Sequence, residues 1–214
     1  MMPLRRVLPC LLLPLLGACG TSPPANFYTL QAPPQAADAS QAGFMIEVVP
    51  VSVPAQSDQP QIMLRTGTGS IAPLYSERWS APLADEMRSA LSEGLTRNLG
   101  ALDVQVVRPA PGTPVWRVQA DVQRFDMSDQ GPAVLDVTWR ARPINTSGAA
   151  LICRSVVTVP PAEGQALIPG LVVAQQQAIG LLAQTIASGI RQQGANAQAA
   201  SSAVSLSGCA ALKD

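Results

Sequence analysis

The sequence has no histidine in its 214 residues. That absence excludes Ser-His-Asp and Cys-His relays, HExxH zinc sites and any imidazole general base near neutral pH. Lysine is almost missing too: thirteen of the fourteen basic side chains are arginine, and the single lysine, Lys213, is one residue from the end. A Ser-Lys dyad or a Schiff-base mechanism therefore has no suitable amine. Charged residues make up only 13% of the chain, against about 25% in an average soluble domain. Basic and acidic side chains balance and no basic run occurs, which argues against nucleic acid. No GxxxxGK[ST] loop, GxGxxG turn or GxSxG elbow is present, so the usual signs of nucleotide binding and α/β-hydrolase chemistry are missing. Glu77, Asp85 and Glu86 come nearest to paired carboxylates. Asp85 and Glu86, however, point roughly 100° apart on a helix and read as solvated charge at a favourable N-terminus. No metal site, cofactor site or acid-base constellation can be named, and the chain reads as a non-enzyme.

What is present begins with an address. Arg5 and Arg6 precede an apolar run from Val7 to Leu16, too short to span a bilayer stably, which reads as an export signal. Leu16-Gly17-Ala18-Cys19 then looks like a bacterial lipobox, in which the Cys19 thiol takes a diacylglyceryl group before cleavage and its freed amine an N-acyl chain. The alternative is an ordinary secretory signal with an incidental cysteine. Residues 1–18, with Cys10, are the expected signal peptide. Their loss leaves 196 residues and twelve basic against fourteen acidic side chains, a formal charge of −2. One acyl chain holds a protein only marginally, whereas the three of a mature lipoprotein make attachment effectively permanent. Gly20, not Asp, follows the cysteine, so the expected location is the inner leaflet of a Gram-negative outer membrane, facing the periplasm.

Residues 19–43 read as a Pro-containing tether with a short docked segment at 27–30, Phe-Tyr-Thr-Leu. Residues 44–191 read as the folded domain. Val- and Ile-rich strands are expected from Phe44 to Val53, at Ile62–Arg65 and from Ile71 to Tyr75. A helix follows, because Leu83, Met87, Leu91, Leu95 and Leu99 recur every four residues; Ser80 is the expected N-cap, Pro82 suits the first turn and Gly100 the stop. Val104 to Val107 is a short strand-like run. Trp116 to Gln123 and Leu135 to Arg142 alternate apolar and polar, and Asn145–Gly148 makes a turn into Ala150–Val159. Leu171 to Ile190 is a second helix, with Gln175 to Gln177 on its exposed side. Residues 192–214, rich in Ala, Ser and Gln, read as a disordered tail. The expectation is one α+β domain, a mostly antiparallel sheet covered on one face by two helices, in the order β-β-β-α-β-β-β-β-α.

Three features together resemble the ABC-type transport auxiliary lipoproteins, the family with the PqiC-like lipoproteins of Gram-negative bacteria. They are Cys19 followed by Phe27-Tyr28-Thr29-Leu30; the strand Ile46 to Pro54 running on to Pro60-Gln61-Ile62-Met63-Leu64-Arg65; and Tyr75-Ser76-Glu77-Arg78-Trp79-Ser80-Ala81-Pro82-Leu83 leading into the Leu-striped helix. The resemblance runs from about Cys19 to Ile190, and beyond Leu102 it rests mainly on element order. It implies a non-enzymatic auxiliary subunit that docks an MCE-domain periplasmic conduit at the outer membrane, with ABC-type transporter components as indirect partners and envelope integrity as the result. It implies no cofactor beyond the lipid on Cys19. A periplasmic lipid carrier, with its own apolar pocket between sheet and helices, is the competing reading.

Several residues carry two readings. Tyr75, Arg78 and Trp79 form a partner-contact surface, or Trp79 caps the core while Arg78 pairs with Glu77 or a nearby carboxylate. Phe27 and Tyr28 pin the tether to the domain as an edge strand, or face lipid. An oxidising periplasm permits a Cys153–Cys209 disulfide, yet Cys153 shares a strand face with Leu151 and Val157 while Cys209 lies in the tail, so both states are open. Gly180, Ser188 and Gly189 mark a subunit contact or plain helix surface. Self-association suits docking on a ring-shaped conduit, and nothing here fixes a subunit number. A Cys19→Ala protein should lose membrane attachment, moving from the membrane pellet to the soluble fraction; retention in the membrane would contradict the lipobox.

Overall fold

The computed structural model describes residues 24–33 and 42–212. The elements run β1 (Asn26–Tyr28), β2 (Met45–Val48), β3 (Gln61–Gly67), β4 (Ser70–Trp79), α1 (Leu83–Leu99), β5 (Val115–Ser128), β6 (Ala133–Ile144), β7 (Ala150–Val159), α2 (Leu167–Arg191) and β8 (Val204–Leu212). The expected signal peptide, Cys19 and residues 20–23 and 34–41 of the expected tether lie outside the described residues.

The alternation read in the sequence makes β5 the hub. Trp116, Val118, Ala120 and Val122 are buried, whereas Gln119, Asp121 and Gln123 are exposed. A register shift between Val122 and Arg124 inserts one residue, so the buried positions change parity and Phe125 and Met127 also enter the core. One side of β5 pairs antiparallel with β6. The other side is shared: β2 runs parallel to its start, Met45 opposite Val115, and β3 runs parallel to its end, Leu64 opposite Met127. The full path is β1-β4-β3-β5-β6-β7-β8, with β2 beside β5. Parallel pairs (β1–β4, β2–β5, β3–β5) mix with a larger antiparallel part, β3–β4 and β5 through β8.

Both helices cover the apolar face. Leu83, Met87, Leu91, Leu95 and Leu99 of α1 are buried, and Gly100 stops the helix in a left-handed conformation with φ 64°. A Cβ built on Gly94 would stand 2.7 Å from the Ala183 Cβ of α2, so glycine here sets how closely the helices pack. Trp139 is 1% exposed, and its indole N–H donates to the buried Ser155 hydroxyl at 2.9 Å. The expected α+β class, with one mixed, mostly antiparallel sheet and two helices, is the class found.

Several local expectations are corrected. Ser80 is not the N-cap of α1; Pro82 holds that position, with no side-chain cap. Val104 to Val107 is not a strand, because Asp103 forms an isolated bridge to Ile46 and its carboxylate turns back on Gln105 N–H at 3.0 Å, bending the chain. Gln175 is fully buried, its amide donating to the Asp126 carbonyl at 2.8 Å.

The largest correction concerns residues 192–214. They are not a featureless tail, since Val204–Leu212 forms β8, antiparallel to β7. On the way, Ala197 packs into the core, and Ser188 accepts the Gln198 N–H at 2.8 Å. Gly189, whose added Cβ would meet Leu151 at 3.0 Å, lies against the sheet. The small residues Ser188 and Gly189 thus receive the chain's own end and β7, not a second subunit. A disulfide joins Cys153 in β7 to Cys209 in β8. Alanine-rich composition hid this strand: its segment has too few large apolar residues to show a period, and the cross-link supplies what burial does not.

The two cysteines are 56 residues apart, so loop entropy in the unfolded chain predicts about 4 kcal/mol of stabilisation from the bond. Urea unfolding of oxidised protein against a Cys153→Ser/Cys209→Ser variant should show a loss of that order; equal midpoints would contradict it.

Candidate functional site

The N-terminal arm around Thr29 is built into the domain by one buried carboxylate. Glu86 sits three residues after Leu83 and four before Ala90, on the apolar stripe of α1, and is 5% exposed. Its Oε2 accepts the Thr29 hydroxyl at 2.7 Å and the Leu30 N–H at 2.9 Å, and its Oε1 accepts the Ser80 hydroxyl at 2.5 Å. Three donors from the N-terminal arm and the end of β4 converge on an acid that the first turn of a helix also favours. The Ser80 N–H donates to the Tyr28 carbonyl at 2.8 Å, continuing the parallel pairing of β1 with β4. From α2, the Gln176 amide donates to the carbonyls of Thr29 and Gln31, at 2.9 and 3.2 Å. Leu30, 1% exposed, fills the core between these bonds.

Glu86 is therefore not the solvated helix charge that its neighbour Asp85 is; Asp85 alone is exposed. A carboxylate three residues from one stripe member and four from another was the available signal. Gln175 carries the same signal, four residues after Leu171 and four before Ile179.

The five candidate contact residues of β1 and β4 divide. Trp79 is 5% exposed and meets the Phe125 ring edge-on at 5.9 Å, so it belongs to the core. Tyr28 is half-buried; burial, then its bond to Glu77, push the phenol up to about 12, keeping the hydroxyl protonated as a donor. Glu77 is further held by Asn26, whose amide donates at 3.0 Å. Arg78 does not take up Glu77: its Nε–H donates to the Tyr75 carbonyl at 3.4 Å. Tyr75 and Phe27 remain outside, 73% and 66% exposed. Tyr75, Arg78 and Trp79 all lie in β4, which runs past the expected end at Tyr75 to Trp79.

At the start of β5, the loop after α1 forms a second surface. Leu102, Val106 and Val107 are exposed large apolar residues, Val106 by 83%. Beside them an open concavity of about 470 Å³ is bordered by Arg108, Thr113, Arg117 and Glu47. Arg117 and Glu47 are paired across β2 and β5 at 2.7 Å. The loop itself is pinned by Asp103, which accepts Arg88 at 2.7 Å and Ser92 at 2.6 Å.

The remaining buried carboxylates are held by arginines. Burial alone would raise the Asp126 carboxyl, but hydrogen bonds and charge from Arg65 and Arg124 outweigh it and hold it below the usual carboxylate range. Asp136 grips Arg154 through two bonds, at 2.8 and 2.6 Å. Among the described residues, no three His, Cys, Asp or Glu side chains gather as metal ligands.

Comparison with known proteins agrees with this picture. The family model described as ABC-type transport auxiliary lipoprotein component matches residues 28–187. A crystal structure titled as an uncharacterized protein is similar in fold, with a TM-score of 0.59 and 15% identity over 78% of this chain and 99% of that one. So is a Xanthomonas campestris protein of the DUF330 family, with a TM-score of 0.54 and 14% identity over 79% and 96%. No curated protein matches the sequence.

Replacing Glu86 with alanine strands the Leu30 N–H and the Ser80 hydroxyl and should cost about 2–4 kcal/mol. Limited proteolysis should then cut near residues 24–33, while Asp85→Ala leaves both stability and cleavage almost unchanged. Equal protection in the two variants would contradict the clamp.

Proposed function

The chain belongs to the family of ABC-type transport auxiliary lipoprotein components, and from that premise we propose that it docks the periplasmic end of an MCE-domain lipid conduit at the outer membrane, performing no reaction itself. The observation that carries this reading is the arm at Thr29–Gln31, bonded to Glu86 and Gln176. Only a few residues of sequence separate Cys19 from Pro24, so an anchor at Cys19 would hold the body close to it. A short mount suits a fixed docking component; a carrier that must shuttle gains from a long free tether. The space between sheet and helices is also occupied, by Leu95, Leu135, Trp139, Ile179, Leu182 and Ile186, each at most 3% exposed. That packing disfavours the competing lipid carrier, which needs an apolar pocket there.

The conduit would meet the Leu102–Val107 loop. It combines exposed apolar side chains with the Arg108, Arg117 and Glu47 border of the concavity, the mixture of apolar centre and polar rim found in protein interfaces. It also lies at the start of β5, whereas the β3–β4 hairpin joins the sheet at the opposite end of that strand. Traffic through ABC-type components would be assisted indirectly, and a ring-shaped conduit could gather several copies.

A tagged protein purified from native envelopes should bring down an MCE-domain protein identified by mass. A Val106→Asp/Val107→Asp variant should lose at least tenfold of that recovery, about 1.4 kcal/mol, while remaining membrane-bound. Absence of any MCE-domain partner from the intact protein would refute the proposal.

A further inference from the structure

The outer face of the β1–β4–β3 corner carries an apolar patch that the docking role does not use. Met63, Ile71, Pro73 and Tyr75 border an open concavity of about 480 Å³ whose rim is Gln56, Gln59 and Gln61. Strand register extends the patch: Gln61 is opposite Arg78, and Arg78 is opposite Phe27. Phe27 and Tyr75 are the aromatic members, both more than 60% exposed. Arg78 stands between Phe27 and Gln61 in the pairing and bonds the Tyr75 carbonyl, bringing a cation to the same edge.

We propose that this patch rests on the lipid bilayer to which the anchor is attached, seating Tyr75 and Phe27 among the headgroups. The inference rests on the lipid anchor at Cys19 that the docking role assumes. Chain geometry makes the case. Five residues lead from Cys19 to Pro24, and fully extended they span about 17 Å. A domain of this size has a radius of gyration of about 16 Å, so its full width is more than double that reach. The anchor can therefore sit in the bilayer only if the edge where the chain joins the domain is turned toward it.

That edge is the patch. β1 runs parallel to β4, with Asn26 opposite Glu77, so the residues before Asn26 approach along the side of β4 that leads back to Tyr75. The composition suits the depth: tyrosine and other aromatic rings favour the membrane–water interface, amide side chains tolerate the headgroup layer, and arginine complements anionic lipid. The loop bearing Val106 is then carried by the other end of β5, away from the membrane.

The test uses the lipidated full-length protein in phosphatidylethanolamine/phosphatidylglycerol vesicles, with an environment-sensitive fluorophore at Tyr75→Cys, Phe27→Cys or, as control, Val107→Cys. The native thiols do not compete, since Cys153 and Cys209 are bonded. Emission from positions 75 and 27 should shift to the blue on reconstitution and be quenched by spin-labelled lipid, with neither change at 107. Solvent-like emission at 75 and 27 from protein that still floats with the vesicles would overturn the patch while leaving the anchor intact. Failure to float would overturn the anchor and the patch with it. A shift that appears only when an MCE-domain protein is added would reassign the patch to a protein interface, and equal quenching at 107 would remove its orientation.

Discussion

The Glu86 carboxylate is the interaction on which the arrangement of this molecule turns. It is buried at the start of α1, and its two oxygens collect the arm through Thr29 and Leu30 and the end of β4 through Ser80. The partners come from two separate stretches of chain, so one side chain fixes the angle at which strand gives way to helix and the path the N-terminal arm takes across both helices. Gln176 completes the grip from α2. A buried acid is tolerated only when its lone pairs are taken, and here three donors take them.

The second constraint is the length of β5. At fourteen residues it outruns every partner on one side, and two short strands, β2 and β3, share that edge. Its one-residue bulge after Val122 lets both halves face the same core, so Trp116 and Phe125 serve a single interior although they differ in parity. This is how the molecule comes to have two separated surfaces, one beside each end of the same strand.

Much of the architecture was legible in local pattern. The Leu stripe at every fourth residue located α1 from Leu83 to Leu99, alternation located β5 and β6, and the Asn145–Gly148 turn located β7. What escaped were features with no period of their own. Glu86 and Gln175 looked like surface because they are polar, although their spacing sets them among the buried leucines and isoleucines. The Val104–Val107 run has β-forming residues, but Asp103 spends its hydrogen bonds on Arg88, Ser92 and the following turn. β8 draws its order from pairing with β7 and from Cys209, neither of which leaves a trace in a window of Ala and Ser. At the candidate surfaces the residue types were visible early. Which of them face outward was not, since Trp79 and Tyr75, four residues apart, end on opposite sides of the sheet.

The Cys153–Cys209 bond also bears on when the fold is finished. Strands β1 and β8 are the two ends of the strand order, so the chain's N- and C-terminal segments close its two edges. Thiols stay reduced in a cytosol and oxidise in a periplasm. While its thiols are reduced the chain lacks the link that secures its last strand, and β8 is held to the sheet edge by its pairing with β7 alone. Oxidation then acts as a latch on that edge, making the cross-linked form the hardest to unfold.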